Sequence, residues 1–155
     1  MPSEEKLLRY QSGRISAELS GSLNGVEFSA DLSIDEMAGD SIRGFRLEMS
    51  APESLCGVTF ERSRDGSLAF SVGEVRCELD RSSADAVEYL IDAFSIEGDA
   101  LGISAISGEE AGIFDCERIT RLDFSDYTLY IDASTSLPVK IEGARYSLSV
   151  RVEIK

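Results

Sequence analysis

The chain has 155 residues, 43% of them apolar, which suits one domain with a hydrophobic core. It has 15 basic against 29 acidic residues, so its formal net charge is -14. This balance argues against nucleic acid and anionic membrane surfaces as partners, because both require a positive patch. No apolar stretch approaches the roughly 18 residues that cross a membrane. We expect residues 1–155 to form a single domain.

The N-terminal part of the chain predicts a short helix followed by alternating strands. Residues 3–10 have a serine cap and acids in the first turn, as helices often do. Residues 13–23 and 26–34 alternate apolar and polar side chains, which is typical of half-buried strands. Asn24 and Gly25 between them favour a type I′ hairpin turn.

Strands continue from residue 45 to residue 79, with a break before Pro52 and a turn at 65–66. The early strands place several large apolar side chains on the inward phase. These are Phe28, Phe45, Leu47, Met49, Phe60 and Phe70.

The period changes in the middle of the chain. Val87, Leu90, Ile91 and Phe94 are spaced i, i+3, i+4 and i+7, which predicts a one-faced helix over residues 83–95.

Alternation resumes at residues 101–105 and passes through a less regular strand over 114–122. Residues 127–142 then read as strand, turn and strand. Pro138 lacks a backbone donor, so it must begin a strand or lie at a sheet edge. A last strand is predicted over 146–154.

The fold class follows from how much apolar surface one helix can cover. About ten strands would span roughly 48 Å if flat, whereas a helix of about 13 residues is only about 20 Å long. We therefore predict an α+β, mainly β fold: a strongly curved, antiparallel, half-open barrel with helix 83–95 as a lid. The alternative is a two-sheet sandwich with the helix packed outside.

The chain contains no histidine, and its three cysteines are Cys56, Cys77 and Cys116. A structural zinc site would lack its usual ligands. Cys77 lies on the apolar phase of its strand, so buried free thiols are favoured; one disulfide with one free cysteine is the alternative. We found no catalytic, phosphate-binding or cofactor motif, and we expect neither an enzyme nor a cofactor.

The inward residues of the strands and the helix stripe define a candidate ligand site. If one short helix leaves space in the hollow, an acyl chain or another apolar molecule could occupy it. The floor would be the six inward residues named above, and the lid Val87, Leu90, Ile91 and Phe94. An ordinary packed core is the alternative.

Three stretches resemble the LolA/LolB-like lipoprotein carrier and sorting proteins. Residues 45–52 are similar to the family's strand that runs into a proline, and residues 58–70 look like the hairpin after it. Residues 127–142, with Leu-Tyr-Ile-Asp and Leu-Pro, look like its late hairpin. Certain relatives carry a functional arginine ahead of the first of these strands. Arg43 is the nearest counterpart, but its register differs by about two positions, so its role stays open.

The resemblance implies a half-open barrel whose helix-covered concave face accepts lipid or lipoprotein acyl chains. It also implies an extracytoplasmic protein, peripheral to the membrane and anchored through an N-terminal cysteine absent from this sequence, with its signal segment removed. A Gram-positive relative is indicated.

Our first hypothesis is thus non-enzymatic binding of an apolar ligand. The second is a protein–protein interaction domain with a filled core, which binds a partner through an edge strand or its acidic outer face. An enzyme of unrecognised type is the third.

Overall fold

The structure, a computed structural model, describes residues 13–35, 43–63, 66–78, 81–96 and 99–155. The helix predicted over residues 3–10 lies outside these ranges. The strands are β1 (Ile15–Leu23), β2 (Val26–Ile34), β3 (Phe45–Ala51), β4 (Val58–Arg62), β5 (Leu68–Val72), β6 (Val75–Glu78), β7 (Gly102–Ser107), β8 (Arg118–Asp123), β9 (Tyr127–Asp132), β10 (Pro138–Gly143) and β11 (Ser149–Ile154). The helices are α1 (Arg81–Asp92), α2 (Glu109–Gly112) and a 3-10 turn (Glu53–Leu55).

The eleven strands form one sheet in the order β6-β5-β4-β3-β2-β1-β11-β10-β9-β8-β7. Each pair of neighbours is antiparallel. The chain runs outward from β1 to β6, passes through α1 to the opposite end at β7, and returns to β11 beside β1. The sheet is open, with β6 and β7 as its ends. The predicted mainly β, half-open architecture is confirmed, and the sandwich alternative is wrong.

Local sequence signals account for much of this architecture. Ile15, Ala17 and Leu19 of β1 are 4%, 1% and 1% exposed, while Ser16 and Glu18 between them face solvent. Asn24 and Gly25 join β1 to β2 with φ angles of 55° and 81°, as a type I′ turn requires. Pro138 is the first residue of β10, one of the two positions predicted for it.

Contacts of α1 with both halves of the sheet show that the sheet is strongly curved. At one end, Arg62 of β4 lies 3.7 Å from Asp92 (Nη1 to Oδ1). At the other, the Tyr127 hydroxyl of β9 donates to the Tyr89 carbonyl at 2.6 Å. Strands β4 and β9 are six positions apart, or about 29 Å in a flat sheet. Tyr89 and Asp92 are separated by about 5 Å along a helix, so the two arms of the sheet must bend toward each other.

Helix α1 lies inside that curve and covers the core. It ends at Asp92, earlier than predicted, and a turn continues the buried stretch. Leu90 and Phe94 are both fully buried, and Ile91 is 2% exposed. Burying such side chains contributes about 1.5–3 kcal/mol each. The predicted stripe is therefore the face that packs on the sheet.

The structure corrects several expectations at the two ends of the sheet. Cys77 is free and exposed instead of buried, because it lies on the end strand β6, where every residue is exposed. Cys56 is also free and exposed, and Cys116 is free and half-buried.

Leu101 precedes β7 instead of lying in a strand, and it is 79% exposed. Helix α2 was not predicted, and the strand expected over 114–122 begins only at residue 118.

Gly143 provides a test of how closely α1 packs on β10. A Cβ atom at this position would lie 2.6 Å from Tyr89 Cε1 and 2.9 Å from Leu148 Cβ. We expect Gly143→Ala to lower the free energy of unfolding by about 1–3 kcal/mol through this overlap. Gly102→Ala is the matched strand control, because its Cβ would lie 3.5 Å from the nearest atom, Asp123 Oδ2. Urea denaturation checks both; equal stabilities for the two variants would contradict the packing.

Candidate functional site

The structure brings nine of the ten predicted site residues into one apolar cluster. Seven of them are buried: Phe28, Phe45, Leu47, Met49, Leu90, Ile91 and Phe94. Phe60 and Val87 are partly buried and pack against these. Phe70 pairs with Phe60 across β4 and β5 but lies outside the cluster.

The helix side chains fill the concave side of the sheet at this cluster. Two open grooves of about 810 Å³ and 380 Å³ lie elsewhere on the described part of the molecule, and none of the ten residues lines either one. In this structure most of the predicted floor and lid residues are therefore packed against one another.

Arg43 fastens the end of α1 to the sheet. It lies just before β3 and is only 4% exposed. Its Nη1 donates to the Phe94 carbonyl at 3.0 Å and to Ser95 Oγ at 2.8 Å. Nε donates to the Asp35 carbonyl at 2.9 Å, and Nη2 donates to the Gly13 carbonyl. A cation just beyond the C-terminus of a helix is favourable, because the unpaired carbonyls there carry partial negative charge. We call this arrangement the Arg43 latch.

Arg62 supports the latch from the next strand. Its Nε donates to the Arg43 carbonyl at 3.1 Å, and its guanidinium lies 5.2 Å from the centre of the Phe45 ring. It also pairs with Asp92, the last residue of α1. Two arginines thus hold the C-terminal end of the helix against β3 and β4.

Tyr89 fastens α1 to the opposite arm of the sheet. Its hydroxyl donates to the Asp126 carbonyl at 2.6 Å and accepts from the Arg145 backbone N–H at 3.1 Å. The Tyr89 and Tyr127 rings stack with centroids 4.6 Å apart. Burial raises the pKa of Tyr127 well above the ordinary tyrosine value, because desolvation penalises the charged phenolate, and the nearby Asp92 carboxylate adds to the shift.

Sequence reasoning identified the apolar stripe of α1 but not the polar contacts that Arg43, Arg62 and Tyr89 make between the helix and the sheet. Tyr89 lies off the i, i+3, i+4 pattern, and nothing local marks it as a contact with β9. The position of Arg43 ahead of a strand was noticed, but its partners at the end of α1, Phe94 and Ser95, are 51 and 52 residues away in sequence. Such pairings depend on how the sheet curves and leave no spacing signal.

The cluster consists of apolar side chains. Among the described residues, no group of three or more His, Cys, Asp or Glu side chains is arranged to hold a metal ion. The described helices are all too short or too polar to traverse a bilayer.

Comparison with known proteins gives distant structural matches. No family model and no curated protein sequence matches the chain. A solved Vibrio parahaemolyticus domain named for outer membrane lipoprotein sorting is similar over 92% of this chain and 71% of its own, with 11% identity and a TM-score of 0.43. MucB is similar over 97% of this chain, with 13% identity and a TM-score of 0.48. This chain spans 55% of the MucB chain.

At these identities and TM-scores the likeness assigns neither a ligand nor a partner.

The raised pKa of Tyr127 predicts a loss of stability in alkali. The folded state holds this proton more tightly than the unfolded chain, whose tyrosine pKa is about 10. The contribution is fully present below about pH 10 and is lost as the pH rises toward the folded-state value. We expect Tyr127→Phe to lower stability at neutral pH by about 1 kcal/mol through the lost hydrogen bond to Tyr89.

The same variant should flatten the decline in the free energy of unfolding between about pH 9 and about pH 11. Urea denaturation across this range, with absorbance titration of the phenols, measures the effect. An unchanged slope would mean that Tyr127 titrates normally.

Proposed function

We propose that this protein is a non-enzymatic binding protein for an apolar ligand, a lipid or acyl chain, which it holds on the concave face of its sheet. The observation that carries the proposal is the Arg43 latch. Helix α1 covers a continuous apolar surface. Its C-terminal end, however, is held by hydrogen bonds from the buried Arg43 to backbone carbonyls of Asp35 and Phe94. Such contacts exchange readily for water when the helix lifts, since a typical hydrogen bond is worth only about 0.5–1.5 kcal/mol net.

The free energies involved permit a reversible lid. Uncovering Leu90, Ile91 and Phe94, the deepest side chains of the lid, costs about 1.5–3 kcal/mol each. An acyl chain recovers about 0.8 kcal/mol for each buried methylene. Roughly ten methylenes therefore offset the exposure of the lid. Typical fatty acyl chains are long enough to replace the helix on the floor.

The floor of the open site consists of inward residues from neighbouring strands. Phe28 belongs to β2, and Phe45, Leu47 and Met49 belong to β3. Phe60 of β4 completes the surface, with Phe70 of β5 at its margin. Val87, Leu90, Ile91 and Phe94 are the lid residues that a ligand replaces.

The location is part of the proposal. We infer an extracytoplasmic protein held at the membrane by a lipidated N-terminal cysteine outside this sequence. This inference rests on the family resemblance of the sequence motifs. Because the ligand is apolar and the surface acidic, attachment by an anchor is more favourable than adsorption to an anionic bilayer.

A second candidate is a protein–protein interaction domain. The filled concave face favours it, because a domain of this kind needs no cavity. Strands β6 and β7 end the sheet with no further strand beside them in the described residues. The acidic outer face offers another surface for a partner.

Substitution of Arg43 tests the ligand proposal. We expect purified wild-type protein to bind a fluorescent fatty acid, and lipid extraction with native mass spectrometry to detect bound lipid. Arg43→Leu removes the latch and raises the population of the open state. Apparent affinity should then rise several-fold, since it scales with the fraction of binding-competent protein. Ser95→Ala, which removes one acceptor of the latch, should act in the same direction but more weakly.

Arg121→Leu is the control, because this arginine lies on β8 and pairs with Asp123, away from the latch. It should bind the probe like the wild type. Thermal unfolding establishes that each variant is folded. If neither the wild type nor the Ser95→Ala variant binds the probe, and no lipid is extracted, the proposal fails.

A further inference from the structure

We propose that β7 accepts an extended segment of a partner protein as an added strand, and that this segment alternates apolar with basic residues. The inference rests on the second candidate function and names the edge and the chemistry of the partner. It does not involve the concave floor.

The composition of β7 suits strand addition. Its six residues, Gly102 to Ser107, include no charged side chain and no proline. It pairs with β8 on one side, and in the described residues no strand lies on the other. Edge strands in monomeric proteins are normally protected by charge, proline or shortness. The opposite edge, β6, follows this rule, with only four residues that include Arg76 and Glu78.

Apolar side chains remain exposed on the inward face at this edge. Ile103 is 42% exposed, although its cross-strand neighbour Leu122 is fully buried. Leu101, just before the strand, is 79% exposed. The apolar inner face therefore continues past the region that α1 covers. Apolar residues at alternate positions of an added strand would cover Leu101 and Ile103.

Charge selects the kind of partner. Acidic residues on or beside β7 and β8 include Asp99, Glu109, Glu110, Glu117 and Asp123, against the basic residues Arg118 and Arg121. The chain as a whole carries a net charge of -14. A second copy would bring two acidic molecules together edge to edge, which like-charge repulsion opposes. A basic segment is attracted to the same edge.

The test uses synthetic peptides as long as β7. We expect a fluorescent peptide of alternating valine and lysine to bind, with affinity falling as salt rises. A valine–glutamate peptide should bind at least about tenfold more weakly. N-methylation of one alternating set of backbone nitrogens should abolish binding, whereas methylation of the other set should not, since only one set faces β7.

On the protein side, Ile103→Lys should reduce peptide affinity by about tenfold or more, since it removes apolar contact and adds repulsion. Ile113→Lys is the matched control: Ile113 is 65% exposed but follows α2 and lies off the edge strand. It should bind the peptide like the wild type.

Three results would overturn the inference. The valine–glutamate peptide could bind as tightly as the valine–lysine peptide, or both N-methylation sets could have the same effect. The third is that Ile103→Lys binds the peptide with wild-type affinity. Self-association of the wild type that Ile103→Lys abolishes would assign the edge to a second copy and overturn it as well. Fatty acid binding by Ile103→Lys should be unchanged. If the wild type binds the fatty acid probe but not the valine–lysine peptide, the β7 inference fails and the ligand proposal stands.

Discussion

The structure depends on one helix, α1, shielding the concave side of a much wider sheet. Twelve residues of α1 face eleven strands, so the sheet must bend until both arms reach the same helix. Tyr89 and Asp92 lie about one helical turn apart, and they contact β9 and β4 respectively, which shows how far the sheet bends. Because α1 is much shorter than the sheet is wide, it does not cover the strands at the two ends of the sheet. Exposure at β6 and β7 thus follows from the arrangement that buries the centre.

The two attachments of α1 differ in kind. On the β9 side, stacked tyrosines and two short hydrogen bonds join the helix to the sheet. On the β3 side, Arg43 ties the carbonyl end of the helix to the chain before β3. A buried guanidinium is tolerated only when its donors are satisfied, and here carbonyl and hydroxyl oxygens satisfy them. If α1 opens as proposed, we expect it to separate from the sheet on the Arg43 side while the tyrosine contacts with β9 remain.

Sequence reasoning was reliable where structure follows from short-range pattern. The two residues Asn24 and Gly25 define their hairpin because the turn needs positive φ at both. The spacing of Leu90, Ile91 and Phe94 identified the buried face of α1. It failed where burial depends on position in the sheet: Cys77 and Leu101 have the apolar phase but lie at the ends. The contacts of Arg43 and Tyr89 were out of reach, because they join segments far apart in sequence.

The central seam between β1 and β11 has a consequence for how the protein is made. The sheet consists of two meanders, β1 to β6 and β7 to β11, and within the sheet only the pairing of Ala17 through Ser22 with Ile154 through Ser149 joins them. Strand β11 is the last of the eleven to be synthesised. During synthesis, the edge of β1 that pairs with β11 therefore stays without its partner strand until β11 has been made.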